Sequence, residues 1–223
     1  MATERRAETS RLEGFSDAVF AFALTLLVVS LQVPSSYDEL VRTLRSFIAF
    51  AASFAALIWI WYLHREFFRR FGLGDGPMIF LNSTLLFVVL LYVYPLKFLS
   101  TLVLGSLVDP ASLASIEPSQ LAQLIVIYGL GYVAVFSVFF LMYLYALRKR
   151  HVLHLTRIDL FDARYAMEAN LINIGTGLGS IALALLGAPP VVAGLFYFVL
   201  GPIRAVHGAS SGRRRRRLEK TTT

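Results

Sequence analysis

Residues 11–33 read RLEGFSDAVFAFALTLLVVSLQV. The stretch opens on charged side chains, Arg11, Glu13 and Asp17, and from Ala18 onward it is apolar apart from Thr25, Ser30 and Gln32. A helix rises 1.5 Å per residue, so about 20 such residues cross the hydrocarbon core of a bilayer. Residues 16–33 therefore read as a short membrane span. Stretches of the same kind recur at 46–65, 78–104, 121–147, 167–187 and 189–206. Only Gly187-Ala188-Pro189-Pro190 joins the last two. That joint reads as a tight helical hairpin, because proline suits the first turn of a new helix. The expected fold class is all-α integral membrane, with six transmembrane helices per subunit.

Composition points the same way. The 223 residues are 57% apolar and 16% charged, with a mean hydropathy of +0.67. Soluble domains are nearer 45–50% apolar and about 25% charged. This argues against a soluble enzyme, and extensive disorder would need low hydrophobicity and high net charge. There is no cysteine, hence no disulfide framework, thiol nucleophile or thiolate metal site. The first span follows a charged segment, and no small-x-small cleavage pattern comes after it, so it reads as a retained helix and not a signal peptide. Ser10-Arg11-Leu12-Glu13 fits a capping box, which would start the first helix near Arg11.

The basic residues orient the spans. Eighteen of the 21 Lys and Arg residues lie at one set of ends, and only Arg42, Arg45 and Lys97 lie at the other. The positive-inside rule then places both termini in the cytoplasm, which requires an even number of spans. The run Arg213–Arg217 has no folded basic domain beside it, so no nucleic acid partner is expected. A solvated tail over 209–223, disordered and attracted to anionic lipid, fits better.

Residues 11, 15, 18, 22, 25, 29 and 32 alternate spacings of four and three, which makes one stripe along a helix. It reads Arg11, Phe15, Ala18, Phe22, Thr25, Val29, Gln32. At 100° per residue Asp17 lies about 100° from this stripe and Ser16 nearly opposite it. Any membrane helix has some apolar stripe, and Thr25 could bond its own backbone. Asp17 stands out more, since an acidic group in or beside the bilayer is costly, usually paired, and a functional candidate.

Arg11-Leu12-Glu13-Gly14-Phe15-Ser16-Asp17 resembles the R-x-x-x-F-S-D signature of the transmembrane protein 175 family of potassium channels, in its prokaryotic single-repeat form. The continuation through Ala18-Val19-Phe20-Ala21 and Leu24-Thr25-Leu26-Leu27-Val28 is similar too, as are Trp61-x-x-His64, Asn82 and Pro95. The last three spans match in hydropathy only. The resemblance implies a homotetramer in the cell membrane, with residues 1–208 as the channel domain and the first helix of each subunit lining a central pore. It implies a constriction at Phe22, a hydroxyl ring at Thr25 beside potassium in transit, and further lining by Ala18, Leu26 and Val29. The family usually has an aliphatic residue where this chain has Phe22. Four phenyl rings could close a pore by dewetting or offer their faces to a cation. The resemblance further implies that Arg11, Phe15, Ser16, Asp17, Trp61, His64 and Asn82 form a structural polar network and do not coordinate the ion. It implies no cofactor beyond the permeant ion and no protein-held metal.

Other features have plainer readings. His151 and His154 could share a helical face, but no third ligand at a typical spacing supports a metal site. Asp159 and Asp162 suit a solvated amphipathic linker. Gly175-x-Gly177-x-Gly179 lacks the strand and lysine of a nucleotide loop, and Gly175 with Gly179 would let helix backbones approach closely. Pro95 would kink or end the third span. Two other function classes compete with a channel: a proton-coupled secondary transporter using Asp17 and His64, and a membrane scaffold without transport.

Overall fold

The structure is a computed structural model, which describes residues 2–29, 35–108 and 117–222. Among the described residues, seven α-helices and one 3-10 turn follow one another: α1 Ala2–Val29, α2 Tyr37–Phe71, α3 Gly76–Val108, α4 Pro118–Arg148, α5 Arg157–Leu185, α6 Pro190–Leu195, the turn Phe196–Val199, and α7 Leu200–Thr222. A helix bonds all its backbone groups within one segment, which is what hydrocarbon demands of a crossing chain. Among the described residues, four stretches are long and apolar enough to cross: Thr9–Val29, Gly76–Ser100, Ser119–Arg148 and Pro190–Gly212. The other two expected stretches, 46–65 and 167–187, lie largely within α2 and α5.

The chain divides into two compact units, residues 1–124 and 125–223, with the boundary inside α4. In the first unit α1, α2 and α3 each pack on the other two. The buried core takes Phe20, Ala23 and Leu27 from α1, Leu57, Phe67 and Phe68 from α2, and Met78, Leu85 and Val89 from α3. Ser36 caps α2 by accepting a hydrogen bond from the Glu39 N–H. Gly72 ends α2 in the left-handed region at φ 52°, where its N–H reaches the Phe68 carbonyl. A side chain would strain this backbone, whereas glycine adopts it freely.

In the second unit α5 packs on α6, the 3-10 turn and α7. Lipid gives apolar helices little hydrophobic reason to associate, so close packing and hydrogen bonds hold such contacts. Both are present. The Ser180 hydroxyl donates to the Ala193 carbonyl at 2.7 Å, and the Tyr132 hydroxyl donates to Asn173 Oδ1 at 3.1 Å. A Cβ at Gly177 would lie 2.6 Å from Val133 Cγ2, and one at Gly179 would lie 2.5 Å from the Phe196 ring. Gly175 has open space around it. Close approach thus uses Gly177 and Gly179, and not the expected pair of Gly175 and Gly179.

Several boundaries differ from the sequence reading. α1 begins at Ala2, so Ser10 lies inside a helix and forms no cap there. The preceding Ala, Glu and Arg residues are good helix formers and carry the helix back from Arg11. Pro95 sits inside α3, which continues to Val108. The joint 187–190 matches its reading, with Gly187 at φ 78° and Pro190 opening α6. The last apolar stretch is not one α-helix, since the 3-10 turn breaks it. Residues 209–222 continue α7 as helix where a disordered tail was expected, in keeping with the helix propensity of their Arg, Leu, Glu and Lys residues. His151 and His154 lie in the turn between α4 and α5 and not on a helix face.

Candidate functional site

α1 has two different faces. Ser16, Phe20, Ala23 and Leu27 point into the three-helix core, with Phe20 2% and Leu27 0% exposed. Arg11, Phe15, Ala18, Phe22, Thr25 and Val29 point out of it, with Phe22 56% and Val29 72% exposed. Leu26 is half-buried, and Gln32 lies outside the described residues. The outward face is the stripe picked out by spacing. The Thr25 hydroxyl donates to the Ala21 carbonyl at 2.9 Å. Its hydrogen is therefore committed, and the oxygen keeps lone pairs that can accept from, or face, a cation.

On the inward face a run of hydrogen bonds ties three helices together. His64 Nε2 lies 2.7 Å from Asn82 Oδ1. Asn82 Nδ2 donates to Ser16 Oγ at 2.9 Å, and Ser16 donates to the Leu12 carbonyl at 2.8 Å. Because Oδ1 can only accept, the His64 nitrogen in this contact carries the proton. All donors then point the same way, from α2 through α3 to α1, and such chains polarise one another in a low dielectric. Ser16, His64 and Asn82 are all buried. Aromatic rings close the site: Phe20 lies 5.5 Å and Phe68 4.7 Å from the His64 ring.

A second link lies nearer the surface. Trp61 Nε1 donates to Asp17 Oδ1 at 2.8 Å, joining α2 to α1. The Arg65 guanidinium sits 5.7 Å over the same indole, within cation–π range. Just past the 46–65 stretch, Glu66 accepts from Arg69 at 2.7 Å and from Arg70 at 3.4 Å. Burial alone would raise the Glu66 carboxyl, but these two guanidiniums outweigh it and hold it below its ordinary value.

The structure thus brings Ser16, His64 and Asn82 into one chain, and Asp17 and Trp61 into one pair. It leaves Arg11 and Phe15 outside both, on the exposed stripe. The sequence reading missed Thr9, whose hydroxyl donates to the Gly72 carbonyl at 3.0 Å and clamps α1 to the end of α2. Gly72, following Arg69 and Arg70, was a legible helix stop; its carbonyl's partner was not. Asp159, read as a solvated linker, instead completes a capping box with Thr156 at the start of α5. Thr-x-x-Asp resembles the capping-box pattern and could have been found. The link from Glu168 to His207, 2.9 Å, was also missed. Among the described residues, no three His, Asp or Glu side chains are grouped so as to hold a metal ion.

Known proteins are similar to this chain. The model of the family described as the endosomal/lysosomal potassium channel TMEM175 matches residues 11–92, which hold α1's stripe and the whole polar chain. A potassium channel of Marivirga tractuosa is 38% identical over 227 residues, spanning 96% of this chain and 92% of that protein. One of Streptomyces collinus is 29% identical over 209 residues, spanning 90% and 88%. The crystal structure of a threonine-to-alanine variant of the potassium channel MtTMEM175, in complex with a nanobody–MBP fusion, superposes with a TM-score of 0.80 at 37% identity, covering 91% of this chain and 93% of that one. A TMEM175 homologue of Chamaesiphon minutus shares the fold at a TM-score of 0.59 and 24% identity, covering 92% and 98%. With more than a third of the residues identical over nearly the full length of both proteins, this multi-pass membrane chain belongs to the TMEM175 family of potassium channels.

Proposed function

We propose that four copies of this chain enclose a potassium-permeable pore whose wall is the exposed stripe of α1. Each copy crosses the cell membrane six times, through residues 1–208, with both termini in the cytoplasm. The observation that carries the reading is the division of α1 into a packed face and an exposed face that holds Phe15, Ala18, Phe22, Thr25 and Val29. An unpaired stripe with a hydroxyl among apolar groups suits a narrow, weakly coordinating path. The potassium channels of M. tractuosa and S. collinus support the ion.

In this reading Phe22 forms the narrowest ring, and its phenyl groups exclude water when close together. The Thr25 oxygens face the ion in transit, with Val29 and Leu26 above them and Ala18 below. Ser16, Asn82 and His64 stay off the ion path, as do Asp17 and Trp61. They hold α1 against α2 and α3, so that Phe22 keeps its position relative to the axis.

Purified protein in liposomes tests this, under a potassium gradient and then a sodium gradient with no pH gradient. Potassium flux should exceed sodium flux. Phe22→Ala should raise conductance or weaken the preference, because it widens the constriction. Flux that needs a pH gradient would move the working groups to Asp17 and His64 and make the protein an exchanger. Silence of both the parent and Phe22→Ala would leave a scaffold.

A further inference from the structure

α1 begins at Ala2, well before its apolar part. Crossing hydrocarbon does not require those extra turns. Thr9, which lies on them, is 6% exposed, and its hydroxyl donates to the Gly72 carbonyl at 3.0 Å. Gly72 belongs to the joint 72–75 between α2 and α3. It closes α2 at a left-handed φ of 52°. The rings just before it, Phe67, Phe68 and Phe71, are buried and packed on one another. The acceptor for Thr9 therefore stands on a well-packed base and not on a loose loop.

Thr9 extends the packed face of α1. Thr9, Ser16, Phe20, Ala23 and Leu27 are spaced by seven, four, three and four, and all are buried. Eighteen residues make five full turns, so Thr9 lies in line with Leu27. At 100° per residue it is about 160° from both Thr25 and Val29. α1 is thus held at two levels of one face, by Thr9 on Gly72 and by Ser16 on Asn82, about 10 Å apart along the axis. A single hydrogen bond lets a helix swivel, whereas two at different heights fix its tilt and its rotation. Turning α1 by about 10° would carry a side chain 5–6 Å from the axis through about 1 Å. A pore that selects by width or by the distance to an oxygen responds to a shift of that size.

We propose that Thr9 is a positioning residue for ion selection: by bonding the Gly72 carbonyl it sets the rotation of α1, and with it the alignment of Phe22, Thr25 and Val29. This rests on the exposed stripe of α1 as the wall of the pore. Thr9 touches no ion in that reading. It lies on the far side of the helix, about 24 Å along the axis from Thr25, and acts only through the hydrogen-bonded backbone of α1. Without its hydroxyl, Phe20, Ala23 and Leu27 still pack into the three-helix core, so the chain stays folded while the stripe turns.

Thr9→Val keeps the shape of the side chain and removes the hydroxyl, Thr9→Ala removes it by a second route, and Thr9→Ser keeps it. Each is reconstituted in liposomes, and potassium and sodium flux are measured side by side. The ratio of the two should fall by about two- to tenfold in Thr9→Val and Thr9→Ala, and Thr9→Ser should match the parent. A residue that only holds the fold would change the amount of active protein, which scales both fluxes equally and leaves their ratio alone. A parental ratio in Thr9→Val and Thr9→Ala, or an equal fall in Thr9→Ser, would overturn the proposal. A second readout needs no flux. The chain has no cysteine, so nitroxides at Val28→Cys on α1 and Leu91→Cys on α3, both exposed, report the distance between these helices by pulsed EPR, with the labelled chain diluted into unlabelled chain. The distribution should shift or broaden in Thr9→Val and not in Thr9→Ser. One distribution shared by the parent and both variants would overturn the proposal. A parent that carried no potassium would sink the pore reading, whereas the distance would still decide whether Thr9 sets the placement of α1.

Discussion

Asn82 is the side chain on which the buried polar chain turns. Its carbonyl faces His64 and its amide nitrogen faces Ser16, so it serves α1, α2 and α3 at once. Asn82→Leu keeps the volume but strands a buried N–H on one side and leaves a hydroxyl oxygen without its donor on the other. Each stranded group costs about 1–3 kcal/mol. Thermal unfolding in detergent should show a midpoint lowered by several degrees; a midpoint equal to the parent would mean the chain contributes nothing. Trp61→Phe should cost less, because it removes one bond to a carboxylate near the surface. Ser16, Asp17, His64 and Asn82 could be named from sequence, because polar side chains stand out in apolar helices and the F-S-D string marks two of them. The Leu12 carbonyl could not, since a backbone acceptor leaves no trace in side-chain identity. Thr9 was hidden for a different reason: it sits in an already polar segment, where one more hydroxyl draws no notice.

Among the elements, α1 shows how far spacing reaches. Alternation by four and three picked out the face that the fold leaves exposed, with Phe22 on it and Phe20 on the opposite, buried side. Spacing did not show where the helix starts, because Ala, Glu and Arg before Arg11 extend it as readily as Ser10 could cap it. α5 gives the complementary case. Small residues announced a close helix contact, but only the fold decides which of them meets a neighbour. Gly177→Ala would push a methyl group to within 2.6 Å of the stiff, β-branched Val133 and 3.2 Å of Tyr132. Overpacking of this kind costs about 1–3 kcal/mol. Gly175→Ala meets nothing and should be neutral or stabilising, by up to about 1 kcal/mol of helix propensity. Unfolding midpoints of the two variants should fall on opposite sides of, or one below and one at, that of the parent. Equal losses in both would show that α5 packs on a different face.

For the whole molecule, the apolar stretches and the one-sided arrangement of its bases make a multi-pass membrane protein legible in the amino-acid sequence alone. The number of subunits is not legible there, because no periodicity in one chain counts copies of it. The proposed pore predicts a particle in detergent of four times the 24.9 kDa chain mass, measurable by light scattering with the detergent subtracted. A monomer would leave the α1 stripe no partner with which to enclose a pore. That stripe can be probed directly, since every thiol in a single-cysteine variant is introduced. Thr25→Cys, Val29→Cys and Leu27→Cys are each reconstituted in liposomes and exposed to a small cationic methanethiosulfonate while potassium flux is recorded. Flux through Thr25→Cys and Val29→Cys should fall steeply as the added charge enters the pore, while Leu27→Cys, which is 0% exposed, should be unaffected. Block at Leu27→Cys, with Thr25→Cys and Val29→Cys untouched, would contradict the exposed stripe of α1 as the wall of the pore.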